Sequence, residues 1–282
     1  MEGGNFVNPL TQKIGFIGGG NMAKAICEGI VSKGLVPYGQ IHVSGPRIHN
    51  LTWWSERGCH ATQENGSLVE NADIVFISVK PHILHTAIEE IKKTHPIMHQ
   101  SKLFVSILAG ITLKQLEHVL SEFGGRIIRV MPNTPMTVGE GCTLISPHHS
   151  ATQEDIYLVN QILSITGTCR EIPENLINVA GALTSSGPAF IYMAIEALAD
   201  GAVKMGLPRV LASELAAQMT LGAAKMARDT GKHTGRLKDE VCSPGGTTIQ
   251  GVYALEKGGM RAAFMDAIEN STKKAAEMAG HK

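Results

Sequence analysis

The sequence predicts two domains in tandem: an α/β domain built on a doubly wound parallel sheet over residues 1–172, and an all-helical domain over 173–282. Three observations carry this expectation. Short apolar runs alternate with amphipathic segments in the first part, the alternation stops at Pro173, and the text beyond it is rich in Ala, Met and Leu spaced three and four residues apart. A chain of 282 residues suits two domains at roughly 150 residues each. It is long enough to bury a large core without disulfides or metals.

The strand-length runs are KIGFIG (13–18), QIHVS (40–44), DIVFISV (73–79), KLFVSIL (102–108), RIIRV (126–130) and CTLIS (142–146). Their nearly continuous apolar character implies strands covered on both faces, as in a parallel sheet. MAKAICEGIVSKG (22–34), PHILHTAIEEIKKT (81–94) and TLKQLEHVLSEFG (112–124) have helical spacing between them. Right-handed crossovers then wind helices onto both faces. Helices are expected over 176–205, 209–231 and 248–280, with small side chains suited to close packing.

Charge and composition exclude several functions. Residues 1–170 hold 13 basic and 13 acidic side chains, and 171–282 hold 12 of each. Neither part is a polyelectrolyte, which speaks against a nucleic-acid or membrane-surface binder. The longest uncharged apolar stretch, Leu103 to Leu113, falls well short of the ~20 residues that span a bilayer. The first residues, MEGGNFVNPLTQ, lack the basic and apolar regions of a targeting segment. Five cysteines without a C-x-x-C pair fit a reducing compartment and small buried hydrophobes, not a disulfide framework or a zinc site. A cytoplasmic location and no metal are expected. His82-x-x-His85 lacks the acid of a metalloprotease helix and reads as solvated, as does His148-His149.

Two glycine clusters carry the chemistry. Gly18-Gly19-Gly20-Asn21-Met22-Ala23 directly follows the first strand and opens the first helix. In the frame Gly18-x-Gly20-x-x-Ala23, the first glycine permits a tight turn, the second lets backbone approach a pyrophosphate, and Ala23 permits close helix–strand packing. The second strand ends in Ser44-Gly45-Pro46-Arg47, with no acid to bind a ribose 2′-hydroxyl. A hydroxyl with a guanidinium suits a 2′-phosphate, so NADPH is the expected cofactor, with NADH as the alternative. Lys80 in Val79-Lys80-Pro81, and Asn133-Thr134-Pro135, form polar corners after later strands, and ordinary turns account for both equally well.

In the helical part, Ser243-Pro244-Gly245-Gly246-Thr247-Thr248 precedes a helix and forms a second anion-binding nest, suited to a substrate carboxylate. The plainer reading is a connector with Thr247 or Thr248 as N-cap. Ser185-Ser186-Gly187-Pro188 interrupts helical text and must break or kink it.

SPGGTTIQGVYALEKGGMRAAF (243–264) closely resembles the signature of the pyrroline-5-carboxylate reductase family. IGFIGGGNMAKAI, SVKPH, RVMPNTP, SGPAF and ADGAVKMGLP resemble it too, in the family's order and over nearly the whole chain. The resemblance implies a Rossmann-like N-terminal domain and a C-terminal helical dimerisation domain, a homodimer or larger ring of dimers, and reduction of 1-pyrroline-5-carboxylate to L-proline by hydride transfer. It implies cofactor contacts at Gly19, Asn21, Met22, Gly45, Arg47, Asn65, Val79, Lys80 and Ala109. The substrate carboxylate would be held around Gly245, Gly246, Thr247 and Thr248 with Glu174 nearby, and Thr248 would hydrogen-bond the ring nitrogen. The chain departs from the family at Thr184 to Phe190, where Ser-Gly-Ser-Gly-Pro-Ala-Tyr is usual, and at Glu240, where Asn is common. A β-hydroxyacid dehydrogenase would instead need a proton-accepting lysine, with Lys204 and Lys225 as weak candidates. A non-catalytic NADPH sensor would need no SPGG loop.

Overall fold

The structure, a computed structural model, describes residues 9–95 and 101–280. It divides into two compact units. One comprises the chain up to Ser185 and the residues from Thr272; the other is Ser186–Ser271.

In chain order, the first unit contains β1 (Ile14–Ile17), α1 (Asn21–Ser32), β2 (Ile41–Ser44), α2 (Thr52–Ser55), β3 (His60–Thr62), α3 (Asn65–Asn71), β4 (Ile74–Ile77) and α4 (Leu84–Thr94). β5 (Leu103–Ser106), α5 (Leu113–Leu120), β6 (Arg126–Met131), β7 (Gly141–Pro147), α6 (Gln153–Ser164), β8 (Gly167–Glu171) and α7 (Ile177–Gly181) complete it. The eight strands form one sheet in the order β3-β2-β1-β4-β5-β6-β7-β8. β1 and β4 are buried at every position, and their side chains alternate between two cores. Ile14, Phe16, Ile74 and Phe76 join Ile26, Ile30 and Trp54 on one face. Ile17, Val75 and Ile77 join Phe104, Leu116 and Leu68 on the other. Burial on both faces is what a doubly wound sheet requires, and the expected fold class is found.

Two features of the sheet depart from the sequence reading. β7 runs antiparallel to β6, because the residues between them hold only a 3₁₀ turn, Thr134–Val138, too short for the helical crossover that a parallel partner needs. β3 and β8 have no counterpart among the expected runs. Both lie at sheet edges, and HAT and GTCRE are largely exposed, so they carry no apolar signal. The helix starts are better marked. Thr112 with Gln115, and Thr152 with Asp155, form reciprocal capping boxes at α5 and α6.

The interruption expected around Ser185–Pro188 is a π-helical turn, Ala182–Ser186, followed by a fresh helix with its proline in the first turn. The second unit holds α8 (Gly187–Lys204), α9 (Arg209–Thr230), α10 (Thr234–Val241), α11 (Thr247–Lys257) and the start of α12 (Met260–Met278). Gly258 and Gly259 divide the helix expected over 248–280. Its buried cluster is small: Ala199, Ala212 and Ala216, flanked by Ile195, Ala202, Val203 and Leu207. No helix of the described residues is long and apolar enough to cross a membrane. Cys27, Cys59 and Cys169 are buried free thiols, whereas Cys142 and Cys242 are half-exposed, against the expectation that all five are buried.

Candidate active site

Parallel pairing fixes where the first site assembles. The last residues of neighbouring strands are in register: Ile17 with Ser44 and Ile77, Ser44 with Thr62, and Ile77 with Ser106. The loops after β1, β2, β3, β4 and β5 therefore leave one edge of the sheet, the edge where such folds place their ligands. Those loops, with the strand ends and helix starts that border them, carry every residue expected to touch the cofactor: Gly18 to Met22, Ser44, Gly45, Arg47, Asn65, Val79, Lys80 and Ala109.

The turn after β1 is held from three sides. Gly18 adopts φ 100°, a conformation that L side chains avoid, and its N–H donates to Ser44 O at 2.9 Å. The Ser78 hydroxyl donates to Gly18 O at 2.7 Å. The indole N–H of Trp54 donates to Gly19 O at 3.3 Å. Gly20 is the N-cap of α1, and no side chain caps the helix there. A Cβ placed on Gly20 would meet nothing within 4 Å. An uncapped helix N-terminus facing open space fits a pyrophosphate, through its N–H groups and the positive end of the helix dipole.

The second loop separates its two expected anion contacts. Ser44 is fully buried, and its hydroxyl donates to Asn65 Oδ1 at 2.7 Å. Asn65 N–H in turn donates to the Glu90 carboxylate at 3.1 Å. Ser44 therefore shapes the loop from beneath, and Arg47 is the exposed cation there. Lys80 and Ala109 are exposed, while Met22 and Val79 are half-buried against the two cores.

Glu174 lies in the first unit and is already engaged. Its Oε1 accepts from Leu113 N–H at 2.6 Å and from Arg129 Nη1 at 2.8 Å. Arg129 is 2% exposed, and its Nε and Nη2 have no partner. The Asn133 corner proves to be a brace: Nδ2 donates to Thr184 O in the π-helical turn, and Oδ1 accepts from Cys142 N–H, both at 2.8 Å. Trp54, Ser78 and Arg129 were not singled out from the sequence. Ser78 and Arg129 open two of the family-like segments, SVKPH and RVMPNTP, and Trp54 is one of two tryptophans.

In the second unit, α11 starts at Thr247 with Gly246 as an N-cap that offers no side chain, so neither threonine is the cap. Gly245 takes φ 69°. Gly246 at φ −77°, ψ 174° nearly repeats Gly20 at φ −74°, ψ −178°. Thr248 is half-buried. Glu240 is tied to Lys232 at 2.8 Å and Arg236 at 3.1 Å, hydrogen bonds that hold its carboxyl below the usual range. Lys204 and Lys225 are exposed.

Among the described residues, one trio offers metal-binding atoms within reach of one another: Glu117, His148 and His149. His148 is half-buried, not the surface residue expected. It follows β7, whose Pro147 pairs with Ile128 near the start of β6, so the trio lies toward the opposite sheet edge. Ser150 Oγ accepts from Ile127 N–H and lies 2.9 Å from His148 Nδ1. Ser150 N–H also donates to Nδ1 at 3.3 Å, and Nε2 lies 3.6 Å from Glu117 Oε1.

A sheet in the order 3-2-1-4-5-6, with a glycine turn opening the first crossover helix, defines a Rossmann dinucleotide-binding protein. Comparison with known proteins narrows this. Residues 13–110 match the family model described as "NADP oxidoreductase coenzyme F420-dependent", and residues 174–278 match "Pyrroline-5-carboxylate reductase dimerisation". The chain is 44% identical over 266 residues to pyrroline-5-carboxylate reductase 3 of Danio rerio, covering 94% of this chain and 91% of that one. It is 43% identical to the pyrroline-5-carboxylate reductase of Methanosarcina acetivorans, covering 95% and 98%. A Coxiella burnetii pyrroline-5-carboxylate reductase superposes with TM-score 0.87 at 34% identity, covering 96% and 99%. The Plasmodium falciparum enzyme with NADP bound gives 0.85 at 33%, covering 96% and 100%. The chain belongs to the pyrroline-5-carboxylate reductase family.

Proposed function

We propose that the protein reduces 1-pyrroline-5-carboxylate to L-proline with NAD(P)H, NADPH being preferred, as the last step of proline synthesis. The observation that carries this reading is the pair of matching helix starts, Gly20 before α1 and Gly246 before α11, each uncapped by a side chain. One receives a dinucleotide pyrophosphate and the other a substrate carboxylate.

Bound NAD(P)H supplies the two electrons and the hydrogen that saturate the C=N bond. The chain's own groups do the rest. The Gly18–Ala23 turn and the α1 N-terminus hold the pyrophosphate, with Asn21 and Met22 beside it. Gly45 and Arg47 receive the adenosine ribose, Arg47 pairing with a 2′-phosphate. Asn65, with Oδ1 committed to Ser44, offers its Nδ2 as donor. Val79, Lys80 and Ala109 border the nicotinamide side of the loops. Backbone N–H groups of Gly245, Thr247 and Thr248 hold the carboxylate, the Gly246 N–H being turned to Ser243 O at 3.0 Å, and Thr248 Oγ1 hydrogen-bonds the ring nitrogen. The substrate reacts as its protonated iminium, so the protein needs to position and stabilise it and not to deliver a strong acid.

Self-association is part of the same proposal, as a homodimer or a ring of dimers. The second unit leaves Met193, Tyr192, Tyr253 and Met265 60% or more exposed. α8, α11 and α12 border an open apolar groove of about 480 Å³, which a second copy would fill. A cytoplasmic location accompanies this reading, supported by the free cysteines. The test follows NADPH oxidation by absorbance with racemic 1-pyrroline-5-carboxylate, and in parallel NADP⁺ reduction with a 3-hydroxyacid. Substrate-dependent oxidation with proline as product supports the reading. Cofactor binding without turnover refutes it.

A further inference from the structure

We infer that Trp54 is a positioning residue for the dinucleotide turn, setting the direction of the peptide group that approaches the pyrophosphate. The inference rests on the proposed cofactor site and adds a residue that lies outside the glycine motif. Trp54 is on α2, 35 positions from the glycine it binds. It is fully buried. Its ring lies 5.5 Å from Phe16 and is met edge-on by Trp53 at 4.9 Å. Its own carbonyl accepts from Arg57 N–H at 3.2 Å and Cys59 N–H at 3.1 Å. Backbone and ring are therefore both fixed, and the indole N–H emerges from a rigid support.

That N–H donates to Gly19 O. The carbonyl of Gly19 and the N–H of Gly20 belong to one planar trans peptide and point in opposite directions. Holding the oxygen toward Trp54 aims the Gly20 N–H away from the core, on the residue whose Cβ position is open. The fit is close on the glycine side as well. A Cβ on Gly19 would lie 2.6 Å from Trp54 Nε1 and 3.1 Å from Val43 Cγ2. Leu or Phe in place of Trp54 would fill much of the same core and leave Gly19 O without this donor.

Trp54→Phe keeps a ring against Phe16 and removes the N–H. With the fold checked by thermal melting, KM for NADPH and for NADH should rise together, about 5- to 10-fold, the scale of one lost buried hydrogen bond. kcat should stay within about twofold, because the substrate loop is untouched. Gly19→Ala should raise the same KM, and the Trp54→Phe/Gly19→Ala double variant should fall short of the product of the two single effects. A folded Trp54→Phe variant with unchanged cofactor KM overturns the inference. Should that variant fail to fold, the wild-type chain decides through its two indole ¹⁵N–H resonances, assigned with Trp53→Phe. Saturation with NADP⁺ should shift the Trp54 signal, and a stationary signal overturns the inference. A wild-type chain that oxidises no NADPH defeats the underlying functional reading instead.

Discussion

Removing the carboxylate of Glu174 should destabilise the first unit more than it alters catalysis. Arg129 is 2% exposed, and the charge it faces is Glu174, at 2.8 Å. The same oxygen accepts from Leu113 N–H at the start of α5. Glu174→Ala therefore leaves a buried guanidinium with Nε, Nη1 and Nη2 all unpaired, and an unsatisfied helix N–H. Breaking a buried pair from one side costs about 3–5 kcal/mol. The Glu174 side chain is 32% exposed, so water relieves part of this, and about 2–3 kcal/mol is expected. For a unit of this size that lowers Tm by roughly 4–12 °C. Glu174→Gln retains an oxygen acceptor and should lose about half as much. The double variant Arg129→Met/Glu174→Leu removes both charges and should recover to within about 1 kcal/mol of wild type. Urea and thermal unfolding at pH 7 measure all four chains. A Glu174→Ala variant as stable as wild type, or a double variant no better than it, refutes the reasoning. A Glu174→Gln variant of wild-type stability but raised KM for pyrroline-5-carboxylate would assign Glu174 to the substrate.

Arg47→Ala should raise KM for NADPH about tenfold or more and leave that for NADH nearly unchanged; equal effects in steady-state assays remove Arg47 from 2′-phosphate recognition. Thr248→Ala should lower kcat/KM roughly tenfold or more, the scale of one charge-assisted hydrogen bond, and unchanged kinetics exclude its hydroxyl from the reaction. Burial, followed by the charges of His60 and Lys13, pushes His42 down to about 4. Above pH ~6.5 the residue is neutral in both states; below it the unfolded chain takes up a proton that the folded chain refuses. Stability should fall as pH drops from ~6.5 to ~4, and urea midpoints of His42→Asn should show a flatter slope. Sedimentation velocity at micromolar concentration should show a dimer or larger assembly, and Phe264→Asp on the apolar groove should shift it toward monomer.

The sequence made the interior strands legible because β1 and β4 must be apolar at every position to sit between two cores. It hid β3 and β8 because an edge strand has one neighbour and keeps polar, exposed side chains. It hid the reversal at β7 because direction is decided by the length of the preceding connection and not by the strand's own residues. The same distinction runs through the site. Glycines announce themselves, since Gly18 needs a positive φ and Gly20 an open approach. The residues that hold those glycines in place do not. Ser78 and Trp54 reach the turn from 60 and 35 positions away, contacts that exist only once β4 and α2 have packed against β1. Glu174, which the resemblance places near substrate, is held through Oε1 by Arg129 and Leu113, contacts that no spacing in the sequence announces.

The two helix starts also offer this chemistry anion sites built from backbone and not from titrating side chains. The carboxyls of Asp229 and Glu240 are both lowered by neighbouring cations on the surface. Neither is poised to give up a proton near neutrality. Oriented N–H groups do not titrate, so the anion sites proposed at the starts of α1 and α11 would keep their strength across the pH range in which an iminium substrate stays protonated. The two glycines share near-identical backbone angles, but the Gly246 N–H is already donated to Ser243 O at 3.0 Å, and their surroundings differ. Above Gly20 a Cβ would meet nothing, which leaves room for a bulky diphosphate, whereas at Gly246 it would run into Ser243 Oγ. Ser243 therefore packs against Gly246 from both its hydroxyl and its carbonyl, the latter accepting the Gly246 N–H at 3.0 Å, and a side chain at position 246 has no room there.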